Sequence, residues 1–522
     1  MNKKDILKIA SLSTLPLSMA FSISCDNKEL EKVSIMIPFV ESHEKKSFEA
    51  FKNVINRFNQ TLDLKYKNNQ IEIRNIFNKK EINYKVSLEM NINDKRTPSI
   101  VISYPSILSE IKRNNKLYKL DNILEISGLD KKIVNYNNRL GFDNKDQIYS
   151  LPIGISSEIL IINKKILGHY LNSLYTYIML NNIDNQNILN FKNLKMYKEI
   201  IEDFNKEERE SFKFNFNKEK IISWDLKLDE SIFEEDIKFN RFCKLINESI
   251  IKNNLDILYV RHVENFLFEQ LFKEIGSDYQ KYFLKYDDKY NLNYYQALNK
   301  DDNFKNVISN FYNNLKDKTI NIEIKNKNNI ESLNNQFFTI ITSRVFDFYK
   351  DFFETNNKNF LIKNVPIRKD DKQKNGSYFM QGTFLSIIKS NIKEKNEVID
   401  LFLRWLYDKN NLLPWEYNKS EVLLSPIEYL SLSLGYVFPT NNFYEKYKNI
   451  TNNKNEAYNL LLDNIFNDKL FPFTDPIDEI SAKFRENIKI LAFNNLLLNA
   501  KNKLNTKEAI YQFILRLLDL IK

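Results

Sequence analysis

Alternation is the feature that most restricts the fold. Val33–Phe39, VSIMIPF, is a short apolar run of the kind that forms a buried strand. Phe48, Phe51, Val54, Ile55 and Phe58 then fall on one helical face. Ile71–Phe77 predicts a second strand, Glu81–Asn91 a second helix, and Ser99–Ser103 a third strand that leaves through Tyr104-Pro105-Ser106 into a helix at 107–114. Strand and helix taking turns in this way predict an α/β fold: mainly parallel sheet, flanked by helices. At 522 residues the chain exceeds what one core usually supports, so at least two lobes are expected.

Glycine narrows the chemistry. The chain has 8 glycines, about 1.5% against a usual 7%. No Gly-x-Gly and no phosphate-binding Gly-rich loop ending in Gly-Lys can be written, which argues against dinucleotide and P-loop folds. Cys25 and Cys243 are the only cysteines, and His43, His169 and His262 the only histidines. They are too few and too dispersed for a zinc site or a disulfide framework, so no cofactor is expected. The formal charge is +9. Lys, Asn, Ile, Phe and Tyr dominate, all of them A/T-rich codons. An AT-rich genome explains the basic excess without a nucleic-acid partner, and no basic–aromatic repeat argues for one.

The N-terminus has the layout of an export signal. Lys3, Lys4 and Lys8 precede the uncharged run 9–23, which is too short to span a bilayer comfortably and ends at Ser24-Cys25. It resembles a bacterial lipoprotein signal, in which the cysteine thiol is acylated and becomes the new N-terminus. Residues 1–24 are then the signal peptide, Cys25 is the lipidation site, and 25–32 form a tether. The mature chain is expected at the outer face of the cell membrane with a charge of +7: loss of three lysines and one aspartate leaves 74 basic and 67 acidic residues. Cys243 is read as a packed small side chain.

Further along, 145–163 is a long extended stretch interrupted by Pro152 and Gly154, as expected of a segment crossing between lobes. Residues 165–330 are mostly helical in pattern, Phe337–Ile341 and Phe360–Pro366 predict strands, and Tyr378–Ile388 predicts a second crossing strand. Trp405 belongs to an apolar helix face. Trp224 and Trp415 have no periodic context and are candidate stacking platforms.

Several segments, in order, resemble the extracellular solute-binding proteins of ABC importers, in particular the maltose/sugar-binding family. They are TPSIVISYPSILSEIKRNNKLYKLD (97–121), IYSLPIGISSEILIINKKIL (148–167), FLFEQLFKEIGSDY (266–279), GTFLSIIKSNIKEKNEVIDLFLRWLYD (382–408), GYVFPTNNFYEKY (435–447) and KEAI (507–510). The resemblance covers nearly all of 33–522 except an insert around 170–255. It implies a two-lobed periplasmic-binding-protein-like fold with a ligand cleft between lobes. Lobe 1 would be 33–152 plus 380–445 and lobe 2 would be 157–370 plus 470–522, with hinges at 153–156 and 371–379. It also implies a monomer that performs no chemistry, works with ABC permease subunits, and comes from a wall-less bacterium.

In α/β sheets ligands sit beyond the carboxyl ends of strands. That selects Glu41 and Ser42, Tyr104 and Ser106, Ser156, Ser157 and Glu158, and Gln381, Gly382 and Thr383. The resemblance adds Glu264 and Phe266 as an acidic–aromatic ligand pair, and Ser343, Arg344 and Phe346 at another strand exit. Carboxylates, amides and hydroxyls suit sugar hydroxyls, and Tyr104, Phe266 and Phe346 would offer flat apolar faces. Arg344 would pair a phosphate, which adds glycerol phosphate to sugars and oligosaccharides as expected ligands. Plain packing or a structural ion pair is an open alternative for Tyr104, Phe266, Glu158 and Arg344. Two other functions stay open: a surface interaction or adhesion lipoprotein on a degenerate binding scaffold, and a secreted hydrolase using Glu158 and Glu264 as paired carboxylates.

Overall fold

The computed structural model describes residues 32–39, 41–42, 44–74, 97–135, 147–195, 197–198, 213–251, 255–287, 291–323, 330–356, 359–417, 420–451 and 455–521. The export signal with Cys25, most of the tether, His43 and the helix expected at Glu81–Asn91 lie outside the described residues.

Fourteen strands are described. They are Val33–Met36 (β1), Ile71–Ile73 (β2), Ile100–Ser103 (β3), Ser150–Ser156 (β4), Glu158–Asn163 (β5), Asp256–Val260 (β6), Ile320–Asn321 (β7), Gln336–Thr342 (β8), Phe360–Asn364 (β9), Gly376–Phe379 (β10), Gln381–Ile387 (β11), Leu413–Tyr417 (β12), Ser420–Leu424 (β13) and Leu470–Phe473 (β14). Two five-stranded sheets result, ordered β2-β1-β3-β11-β4 and β7-β6-β8-β5-β9.

Each sheet is mainly parallel, as expected, with one antiparallel strand inserted: in each, four strands run one way and the fifth runs against them. β1 pairs in parallel with β2 and β3, and β6 with β7 and β8. β11 runs antiparallel to β3 and β4, and β5 runs antiparallel to β8 and β9. The cause is topological. β4 ends at Ser156 in the first sheet, and after Ser157 the chain opens β5 in the second. A strand that enters a sheet from the cleft side must run against neighbours whose carboxyl ends point there.

Each sheet is covered on both faces, so central strands such as β1, β3, β5, β8 and β11 are buried along their whole length and carry mostly apolar side chains. Ile35, Ile100, Ile102, Leu151 and Ile153 face one core, while Met36 and Val101 face a smaller one behind. In the second sheet Leu160, Ile162, Phe338 and Ile340 face the largest core, and Ile159, Ile161 and Ile341 face the opposite side. Helix Lys164–Leu180 and the helices of the insert pack on that largest core through Tyr170, Leu174, Phe242 and a fully buried Cys243.

A parallel ribbon of β10 and β14 lies between the sheets. Its side chains alternate between cores: Tyr378 and Leu470 join the first, Phe379 and Phe473 the second. Helix Glu456–Ile465 straddles the lobes in the same manner, with Ala457 on the second sheet and Tyr458, Leu461 and Leu462 on the first core.

Two close backbone approaches hold the first sheet. A side-chain carbon on Gly382 would lie 2.2 Å from the Gly154 carbonyl oxygen, and one on Gly154 would lie 2.6 Å from Tyr436 Cβ. Gly154 is therefore a packing glycine. It admits the turn Gly435–Pro439, whose Val437 exchanges two backbone hydrogen bonds with Ile155 at 2.9 and 3.1 Å.

Candidate functional site

The two lobes meet over a buried polar cluster beside the Ser157 crossing. Glu158 opens β5 and is 4% exposed. Its Oε1 accepts from Asn265 Nδ2 at 2.5 Å and from Gln381 Nε2 at 3.4 Å. Asn265 Nδ2 also donates to Gln381 Oε1 at 3.1 Å. Gln381 opens β11 in one lobe, and Asn265 lies in the first turn of helix Val263–Glu274 in the other, so the amides tie the lobes together. Arg485, from helix Ser481–Leu491, donates to Asn265 Oδ1 and pairs through Nη1 with Asp475 at 2.8 Å. Its guanidinium lies 5.4 and 5.3 Å from the ring centroids of Phe268 and Phe379.

Electrostatics follow from burial. Burial pushes Glu158 up to about 8, its bond from Asn265 opposes this, and Glu269 and Glu264 add to it. Its carboxyl is thus largely protonated at neutral pH. Burial lowers His262 to about 3, helped by Arg261, Lys489, Arg485 and Arg344. The imidazole is neutral, with Nδ1 3.7 Å from Glu158 Oε1. Burial raises the Tyr104 hydroxyl to about 12, with Tyr436 adding and Arg485 opposing. Glu158 Oε2 and Glu264 Oε2 are buried without a hydrogen-bond partner among the described residues. Such orphaned groups cost free energy unless something fills the space beside them.

A cavity of about 90 Å³ adjoins this cluster. It is lined by Tyr104, Pro105, Ser106, Gln381 and Phe384 on one side and by Phe268, Tyr294, Phe484 and Arg485 on the other. Its wall is mostly carbon, closed at the back by Phe379, Met380 and residues 474–477.

Of the residues singled out from sequence, Tyr104, Ser106 and Gln381 line the cavity, and Glu158 and Glu264 lie in or beside the polar cluster. Ser156 and Ser157 are buried at the crossing. There Ser343 holds Ser157, its N–H donating to Ser157 O at 2.8 Å and its Oγ accepting from Ser157 N–H at 3.4 Å. Gly382 and Thr383 are buried in β11, where Gly382 packs on Gly154. Glu41 and Ser42 are exposed in a turn and are not part of the cavity wall.

Three assignments are corrected. Phe266 faces away from the cleft and packs on Phe311, ring centroids 6.1 Å apart. Two helical residues past Glu264 is a rotation of about 200°, so the aromatic sharing the carboxylate's side is Phe268. Phe346 stacks on Phe353 at 4.2 Å inside a core. Arg344 is engaged within the protein. Nη2 pairs with Glu44 Oε1 at 2.7 Å, Nε donates to Leu434 O at 3.1 Å, and the guanidinium sits over Phe39 and Tyr436. Neither Trp224 nor Trp415 reaches the cavity. Trp224 Nε1 donates to Leu226 O and Trp415 packs on the first lobe's core. Asn265, Arg485, Asp475 and Phe268 were missed: each belongs to an amphipathic helix or a loop with no local signal of cleft exposure.

No helix among the described residues is long and apolar enough to cross a membrane. Residues 379–497 match the family described as "Putative mycoplasma lipoprotein, C-terminal region". A stretch of 132 residues, 25% of this chain, is 28% identical to an uncharacterized lipoprotein of Mycoplasma genitalium, and 75 residues, 14% of this chain, are 32% identical to one of Mycoplasma pneumoniae. The matches span only 17% and 10% of those proteins' lengths. In three dimensions the chain is similar to the cyclic α-maltosyl-1,6-maltose binding protein from Arthrobacter globiformis. The TM-score is 0.54 at 8% identity, covering 94% of this chain and 99% of that one. A cyclo/maltodextrin-binding protein solved with maltotetraose gives 0.54 at 12% identity, covering 94% and 97%. The architecture is the two-lobed α/β fold of sugar-binding proteins.

Proposed function

We propose that this chain is a solute-binding lipoprotein. Anchored through Cys25 at the outer face of the cell membrane, it captures a small polar solute between its lobes and hands it to ABC permease subunits. One observation carries the reading: two carboxyl oxygens, Glu158 Oε2 and Glu264 Oε2, are buried at the lobe junction with no hydrogen-bond partner among the described residues. A guest with one oxygen that accepts from the protonated Glu158 carboxyl and a hydroxyl that donates to Glu264 Oε2, with Tyr104 and Phe268 against its apolar edges, removes that cost. The binding-protein fold and the lipoprotein relatives support the same role.

The test is thermal unfolding of the detergent-solubilised lipoprotein against sugars, glycerol phosphates, nucleosides and peptides. A ligand at a hundred times its dissociation constant adds about 2.7 kcal/mol, a shift of several degrees. No shift across the whole panel would favour a surface interaction protein instead.

A further inference from the structure

Among the described residues, Arg261 and Lys489 have no ion-pair partner, although both are only partly exposed. The other basic groups near them are engaged: Arg344 with Glu44, Arg485 with Asp475. Arg261 follows β6, its N–H bound to Ile340 O at 3.1 Å, so it stands at the carboxyl end of a parallel strand. Lys489 is one helical turn beyond Arg485, on the same side of helix Ser481–Leu491. Both act on His262, which heads the 12-residue helix Val263–Glu274 and gives its first turn no side-chain cap. Uncapped N–H donors and the positive end of the helix dipole therefore share this corner with two uncommitted cations. Glu158 abuts the same turn through Asn265, with Oε2 buried and unpartnered, and Glu264 Oε2 in that turn is also unpartnered.

From this corner we infer that the solute is a phosphate monoester of a short polyol rather than a neutral oligosaccharide. The inference rests on the cleft being a solute site. A phosphate monoester carries about −1.5 to −2 charges near neutral pH, which two free cations match, and its oxygens accept from backbone N–H groups. The ester's hydroxyls donate to Glu264 Oε2, and the protonated carboxyl of Glu158 donates to a ligand oxygen. Space agrees. The adjoining cavity, which meets this corner at Gln381 and Arg485, is about 90 Å³, smaller than the 150 Å³ cavity that takes up benzene, and so favours a ligand whose body is a few carbons long.

Calorimetry and thermal unfolding of the detergent-solubilised lipoprotein would use glycerol 3-phosphate, inorganic phosphate, glycerate, glycerol and maltotetraose as probes. Glycerol 3-phosphate is expected to bind and stabilise, with phosphate weaker and glycerol and maltotetraose silent. Its affinity should fall tenfold or more in the Arg261→Gln, Lys489→Gln double variant, with ligand-free melting unchanged. Arg261→Lys should retain most of the affinity, and Lys483→Gln, on the exposed side of the same helix, should retain all of it. Tighter binding of glycerate would overturn the phosphate assignment, as would full affinity in the double variant. Binding of maltotetraose with no response to the ester would overturn the inference and leave the cleft as a solute site. Silence from every probe would overturn the inference, and silence from nucleosides and peptides as well would overturn the solute reading.

Discussion

Glu158 is the residue on which the junction turns, and its protonation has a direction that can be measured. Burial holds its carboxyl up to about 8, whereas an unfolded glutamate titrates near 4.3. Between those values the unfolded chain binds fewer protons than the folded one, so ligand-free stability falls as pH rises from about 4 to about 8. Glu269, raised to about 7, and Asp475, raised to about 6, slope the same way. Glu158→Gln removes one contribution. Urea denaturation at pH 5 and pH 8 should show a smaller loss between the two than in the parent chain. An equal loss would place the burial cost elsewhere. At this scale the sequence was partly legible. Glu158 stood out because it follows a strand-breaking Pro-x-Gly, and Tyr104 because it closes a strand. Phe266 misled because linear spacing carries no phase; only the helix axis tells that Phe268 shares Glu264's side.

Among the elements, β11 bears the most. It lies between β3 and β4, and Gly382 meets Gly154 so closely that a methyl group has nowhere to go. The obstructing atom is a backbone oxygen, so Gly382→Ala forces the two strands apart. We expect a loss at the upper end of the 1–3 kcal/mol typical of overpacking, read as a lowered denaturation midpoint. Strands dominated by apolar residues, such as β1, β3 and β8, were legible because both their faces are covered. β6 was not. Asp256–Val260 is a single buried pentapeptide among helices, and its identity comes from pairing with β7 and β8, more than 60 residues away.

For the molecule as a whole, Arg344 is a tie between lobes. It leaves the end of β8 and makes its contacts, Glu44, Leu434 O, Phe39 and Tyr436, on the first lobe. Hydrogen bonds to charged groups are worth about 1.5–3 kcal/mol, and 1.4 kcal/mol is tenfold in an equilibrium. Arg344→Ala should therefore shift the lobes toward open forms, seen as a larger radius of gyration in solution scattering. A scattering curve identical to the parent's would mean that the tie is redundant with the β10–β14 ribbon. The two-lobed plan was legible from the extended stretch 145–163 with its Pro152 and Gly154, although 153–156, read as the hinge, lies inside β4 and the chain crosses at Ser157. The antiparallel insertions were not legible, because a crossing strand's direction is set by where it enters.

That insertion has a consequence for how the chain comes into being. The first sheet cannot close until β11 arrives, and Gln381 lies 225 residues after Ser156. At a translation rate of about 5–20 residues per second, the facing edges of β3 and β4 would wait some 11–45 seconds for their central strand. Throughout that interval a half-made polypeptide exposes two sticky apolar edges, and whatever escorts it out of the ribosome has to shield them.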